Sequence, residues 1–91
     1  MIPNDLSLEN IIKVHKKLST HVLDTPLFKA WPLIDKIFNT NIYLKMEFLQ
    51  HAGTFKTRGA VNNILNLNDS YKSNGITAVS AGNHAIATSY V

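Results

Sequence analysis

The chain has 91 residues, 45% of them hydrophobic and 16% charged, the balance of a globular unit rather than a disordered one. Nine basic residues against six acidic ones give a net charge of +3, but they are dispersed, and the densest cluster, Lys13, Lys16 and Lys17, reads as a solvated helix face rather than a nucleic-acid patch. Cysteine is absent, which excludes disulfides and thiolate metal sites. No run approaches membrane-spanning length and the N-terminus lacks the apolar core of a signal peptide, so the expectation is a cytoplasmic protein with neither membrane nor nucleic-acid partners and no metal.

From Ser7 to Leu18, the residues Leu8, Ile11, Ile12, His15 and Leu18 recur at helical spacing, with Ser7 as N-cap and Lys16 and Lys17 suited to the C-terminal end. His15 is expected half-buried at the edge of that stripe. Proline forces Thr25 towards an extended conformation in Thr25-Pro26-Leu27. Trp31-Pro32 marks a turn or helix start, with Trp31 expected in a core. After Asn39-Thr40-Asn41, the segment Ile42 to Glu47 alternates with the period of a strand. A loop from Gln50 to Lys56 leads into a helix over about Thr57 to Leu67, and a polar, turn-rich stretch ends at Asn74-Gly75. Ile76 to Val79 reads as a short buried strand, and a helix of small residues begins near Asn83. The order strand, helix, strand, helix predicts an α/β fold with a parallel sheet and crossover helices.

Two turns carry the chemistry. In Gly53-Thr54-Phe55-Lys56-Thr57-Arg58-Gly59-Ala60 a lysine stands between a glycine turn and a helix start. Lysine is a poor choice at a helix N-terminus on dipole grounds, which weakens its reading as an ordinary surface residue. The helix end, burial and a nearby Arg58 would each favour a neutral amine, able to attack an aldehyde. In Ser80-Ala81-Gly82-Asn83-His84-Ala85 a glycine at a strand-to-helix turn suits an anion such as a substrate carboxylate. Asn83 is either an N-cap or an amide donor to a phenolic oxygen, Ser80 is more safely a cap than a carboxylate contact, and His84 is more structural than basic. Two helix N-termini facing one cavity, one of them bearing an amine, suit a cofactor that is both aldehyde and anion.

These motifs, in this order with Thr25-Pro26-Leu27 and Leu44-Lys45-Met46-Glu47, resemble the fold-type II pyridoxal-phosphate enzymes, the tryptophan synthase β-like group, across nearly the whole chain. Phe-Lys-x-Arg-Gly-Ala is similar to the threonine/serine dehydratase and serine racemase branch; Thr57 stands where cysteine and threonine synthases usually have aspartate. The resemblance implies pyridoxal 5'-phosphate as cofactor, Lys56 as its Schiff-base partner and catalytic base, Phe55 packed beside it and Asn83 on its 3′-oxygen. It implies that Ser80, Ala81, Gly82, Asn83 and His84 hold the carboxylate of an amino-acid substrate. It further implies β-elimination of a hydroxy-amino acid to a 2-oxo acid and ammonia, and a homo-oligomeric parent.

Serine racemases place a serine at the position of Ala81, and a methyl group delivers no proton; with Thr57 this ranks racemisation and β-replacement below elimination. Family members run to several hundred residues and carry a glycine-rich phosphate loop not found in these 91. Residues 1–91 are therefore expected to be one partial domain, the N-terminal part of such an enzyme, inactive and weakly binding on its own. The alternative from another class is a non-catalytic remnant or interaction module, prone to self-association.

Overall fold

In the computed structural model, which describes residues 6–91, Ser7 caps the first helix from the position its sequence suggests. Its Oγ accepts the Asn10 N–H at 3.2 Å. Helix α1 spans Leu8–Leu18, with Glu9 in its first turn and Lys16 and Lys17 in its last. Of its apolar stripe only Leu18 is buried, joining Val22 and Val61 in a small core against which Val14 and Leu65 pack. His15 is exposed rather than half-buried, because the stripe from Leu8 to Ile12 is itself largely uncovered.

Extended at Thr25-Pro26, the chain enters β1, Leu27–Lys29, which pairs with β2, Tyr43–Lys45. The pairing is antiparallel, Leu27 opposite Lys45, Phe28 opposite Leu44 and Lys29 opposite Tyr43. Bonds from the Ala30 N–H to the Ile42 carbonyl (2.8 Å) and from the Met46 N–H to the Pro26 carbonyl (3.0 Å) extend the ladder at both ends. Between the strands lies α2, Pro32–Phe38; Pro32 sits where a missing N–H costs nothing, and Asn39 closes the helix at φ 50° in the left-handed region. Asp35 Oδ1 accepts the Ile42 N–H at 2.9 Å and fixes the return.

Among the described residues the sheet is thus two-stranded and antiparallel. It pairs Tyr43–Lys45 with a strand at Leu27–Lys29 that the sequence pattern does not foretell, rather than with Ile76 to Val79 in parallel as strand order suggested. The left-handed Asn39 and the Asp35–Ile42 bond reverse the chain after a helix of only seven residues. Strand periodicity does not encode that reversal. Trp31, expected in a core, is 79% exposed at the start of α2.

Two 3-10 turns, Glu47–Leu49 and His51–Gly53, lead into α3, Lys56–Asn66. The stretch expected to be irregular contains a short helix, α4, Asp69–Ser73, because Asn68 accepts the Tyr71 N–H through its side chain. Gly75 follows at φ +81°, a left-handed conformation that favours glycine. Ile76 to Val79 has no ladder partner among the described residues, and Val79 is wholly exposed, so this segment is not the buried strand its apolar run suggested. The last helix, α5, Asn83–Tyr90, packs on α3, which also meets α1. The His51 ring stacks on Tyr90 with centroids 5.1 Å apart. The radius of gyration is 16.3 Å, against about 12 Å for a compact globule of this length. The difference reflects a small core and long uncovered apolar faces.

Candidate active site

The approach to Lys56 is built from buried polar side chains. Gln50, in the loop before the lysine, is almost fully buried and pairs with the backbone of Leu23 like a neighbouring strand residue. Its Oε1 accepts the Leu23 N–H at 2.8 Å and its Nε2 donates to the Leu23 carbonyl at 2.9 Å. The same Oε1 accepts the His51 N–H at 3.1 Å. Ala52 (φ 59°) and Gly53 (φ 65°) are both left-handed, which turns the chain sharply; for alanine that conformation carries strain.

Phe55 precedes α3 without a side-chain cap. Thr54, also buried, takes up part of that role, its Oγ1 accepting the Lys56 N–H at 3.2 Å. Thr57 is 0% exposed and donates its hydroxyl to the His51 carbonyl at 2.6 Å. Its residue type, useful for telling family branches apart, therefore has a packing and hydrogen-bonding reason in this chain.

Arg58 does not act on Lys56 as a free cation. Its Nε donates to Glu47 Oε2 at 2.8 Å and its Nη2 to Glu47 Oε1 at 2.7 Å, a two-point charge-assisted pair. Nη2 also reaches the Leu23 carbonyl at 3.3 Å. The Thr25 hydroxyl donates to Glu47 Oε1. Lys45 Nζ, on β2, donates to the Thr25 carbonyl at 2.6 Å. The hydrogen bonds from Arg58, opposed by burial and aided by Thr25, pull the Glu47 carboxyl down to about 2, and Glu47 raises Arg58 in turn. The sequence expectation that Arg58 bears directly on the lysine amine is therefore corrected: its charge is matched by Glu47.

Lys56 itself is exposed, its amine 5.5 Å from the centroid of the Phe55 ring, with no carboxylate partner among the described residues. Phe55 and Lys56 line a cavity of about 450 Å³ together with Lys45, Glu47, Arg58 and Gly59. Arg58 is matched by Glu47 and Lys45 pairs with Asp24 at 3.5 Å, so among the lining residues the unpaired charge is that of Lys56.

The second turn is built more lightly. Gly82 is the N-cap of α5 and Asn83 its first residue, without a side-chain cap. Ser80 accepts the Gly82 N–H at 3.2 Å, so it closes the turn ahead of the helix rather than capping the helix itself. Ser80, Ala81, Gly82, Asn83 and His84 are all exposed, and a Cβ built on Gly82 would meet nothing within 4 Å. None of the five lines the Lys56 cavity; His84 borders a separate one with Ala60, Ile64 and Thr77. The two turns belong to helices that pack together, α3 and α5, but the cavity at Lys56 and the one bordered by His84 have no lining residue in common.

The supporting roles of Thr25, Glu47, Gln50 and Thr54 were not legible in advance. Thr25 and Glu47 stand within recognisable motifs without an assigned task, and a buried glutamine in a polar loop gives no sequence signal.

The residues present fit the aldehyde end of an anionic cofactor: an uncommitted primary amine, an aromatic ring beside it and a cavity to which that amine brings an unpaired positive charge. Comparison with known proteins agrees. The sequence profile of the family described as "Pyridoxal-phosphate dependent enzyme" matches residues 18–91. The chain belongs to this family of pyridoxal-phosphate-dependent enzymes. Its relatives in the family include a catabolic L-threonine dehydratase of Staphylococcus aureus, 42% identical over 80 residues, an alignment covering 88% of this chain and 23% of the relative. Maize serine racemase superposes with a TM-score of 0.76 at 34% identity, over 89% of this chain and 25% of that one. A threonine deaminase from T.th. superposes with a TM-score of 0.73, also at 34% identity, over 92% and 29%. The chain thus spans about a quarter of the length of the curated relatives it matches. Its helix-rich architecture with a small sheet is that of the corresponding part of these enzymes.

Proposed function

We propose that this chain supplies the cofactor-lysine part of a pyridoxal-phosphate-dependent serine/threonine ammonia-lyase, in which Lys56 is the amine that condenses with the cofactor aldehyde. The observation that carries the reading is the Lys56 amine over the Phe55 ring at an open cavity, free of any carboxylate among the described residues. The naming of relatives as threonine dehydratase or threonine deaminase supports elimination from a hydroxy-amino acid as the reaction. On this reading residues 1–91 are one partial domain, the counterpart of the N-terminal part of such an enzyme, working in the cytoplasm on a small amino acid. Its parent is a homo-oligomer.

When bound, the cofactor supplies an electron sink that makes the Cα–H of an attached amino acid acidic. This chain's residues do the rest. Phe55 would flank the cofactor, and Asn83 would donate from its side-chain amide to the phenolic oxygen. The Lys56 amine, once the substrate's own amine has displaced it from the aldehyde carbon, would take the Cα proton. The exposed turn Ser80 to His84 presents backbone N–H groups at the start of α5, with open space above Gly82 for a carboxylate. For the two halves of the site to meet one ligand, that ligand must reach from the Lys56 cavity to the α5 turn. Incubation with pyridoxal phosphate, borohydride reduction and peptide mapping tests the assignment: modification concentrated on Lys56 supports it, and modification spread evenly over the lysines refutes it.

Serine racemase among the structural relatives favours racemisation as a second reading. Ala81 weighs against it, since its methyl cannot protonate the opposite face of Cα. Following the Cα configuration of recovered serine in deuterated water separates the two, a racemase returning the deuterated enantiomer. The exposure of Trp31, Leu33, Ile37 and Phe38 favours a further property, self-association of the isolated chain through this apolar face. Light scattering tests it; a monodisperse monomer at all concentrations contradicts it.

A further inference from the structure

Lys56 is exposed and makes no ion pair among the described residues, yet the residues around it are anchored. Thr54 accepts its N–H, Thr57 is fully buried with its hydroxyl on the His51 carbonyl, and Arg58 is held at two points by Glu47. Glu47 is held in turn by the Thr25 hydroxyl, and Arg58 also donates to the Leu23 carbonyl. Helix α3 lacks a side-chain cap at Phe55, so its first turn depends on the local bond from Thr54 and on the longer-range tethers of Thr57 and Arg58. Phe55, Lys56, Arg58 and Glu47 all line the same cavity.

We propose that the Arg58–Glu47 pair is a positioning device for Lys56, clamping the first turn of α3 to the Leu23–Thr25 segment so that the amine stays over Phe55 at the cavity. Arg58, although it lines the cavity, has its Nε and Nη2 committed to Glu47 and the Leu23 carbonyl, and its charge is matched. The side chains of the pair are 27% and 17% exposed, shielded enough that losing one partner strands the other. The proposal rests on the reading of Lys56 as the cofactor amine, and its test separates the two.

The test uses the chain and its R58M, R58K, E47Q and E47Q/R58M variants, each incubated with pyridoxal phosphate, reduced with borohydride and mapped lysine by lysine. Exposed Lys13 on α1 serves as internal reference. Helicity is followed by circular dichroism. The wild type is expected to show Lys56 modified in preference to Lys13. R58M and E47Q are each expected to reduce that preference roughly tenfold, within the range that misplacement by ~1 Å costs. The double variant is expected to be no worse than either single one, as for two residues acting as a unit. R58K should recover part of the preference, and helicity should be retained throughout. An unchanged preference in R58M, or a fall that only tracks lost helicity, overturns the proposal. If the wild type shows no preference for Lys56, the cofactor reading fails, and hydrogen exchange over residues 54–60 decides the positioning role by itself. Faster exchange in R58M than in the wild type supports it, and equal rates overturn it.

Discussion

The two glycine turns of this chain open helices that pack on each other, yet they are held in opposite ways. Around Lys56, Gln50, Thr54 and Thr57 are buried, and Glu47 and Arg58 are locked in a two-point pair. Around Gly82, Ser80 to His84 are exposed, and one bond from the Gly82 N–H to Ser80 closes the turn. Both turns carry motif residues of equal apparent weight in the sequence. The difference teaches that the lysine turn is pre-organised by the chain itself, whereas the second turn has its conformation set by little that the described residues provide. Pre-organisation matters most where an amine must meet a reacting carbon, since misplacement there is costly in rate.

The sharpest way to break this contrast is at Thr57. Thr57→Val keeps the shape but leaves the His51 carbonyl without its hydroxyl donor. Unfolding in urea should show a loss of about 1–3 kcal/mol, the cost of stranding a buried polar group. Loss of less than a few tenths would mean the turn is not held by this bond.

Acid titration probes the same turn next. Glu47 is lowered from 4.5 to about 2 chiefly by its hydrogen bonds with Arg58. A depressed carboxyl pKa means the folded state holds the proton less tightly than the unfolded chain. The stability that the pair contributes is therefore complete above about 4.5 and is lost as pH falls towards about 2. Glu47→Gln should flatten that acid limb in urea melts recorded at a series of pH values. An unaltered limb would show that other carboxyls produce it.

At the second turn the effects should be smaller. Gly75, on the approach to it, is at φ +81° with open space around its Cα, so Gly75→Ala meets no clash but takes on backbone strain. A thermal melt should report a loss of about 1 kcal/mol; a gain would place the native φ elsewhere. Ser80→Ala should change stability by less than about 0.5 kcal/mol, as at an exposed position. A larger loss would show that Ser80 anchors the α5 turn and would erase the contrast.

The elements were legible in the sequence where local chemistry decides them. Ser7 caps α1 and Pro32 opens α2 where their residue types suggest, and α5 starts at Asn83 as expected, although Gly82 and not Asn83 is its N-cap. What was not legible depends on contacts distant in sequence. Ile76 to Val79 has the composition of a buried strand, but a strand is made by a neighbour, and none pairs with it among the described residues. Trp31 has a core residue's side chain and stands exposed because no described element covers that face. At the site, Lys56 was readable from its motif, while Gln50 reaches Leu23 across 27 positions and Arg58 reaches Glu47 across 11. Such pairings follow from the fold and leave no local pattern. The family motif carries the site because it records the outcome of those contacts without displaying them.

The most direct test of the assignment of Lys56 is an absorbance titration with pyridoxal phosphate, with light scattering followed in parallel, on the chain and on Lys56→Ala. The account predicts a visible band in the wild type that rises with cofactor, and its reduction in Lys56→Ala to the level given by the remaining surface lysines. A band of undiminished amplitude in Lys56→Ala would contradict it and move the amine to another lysine.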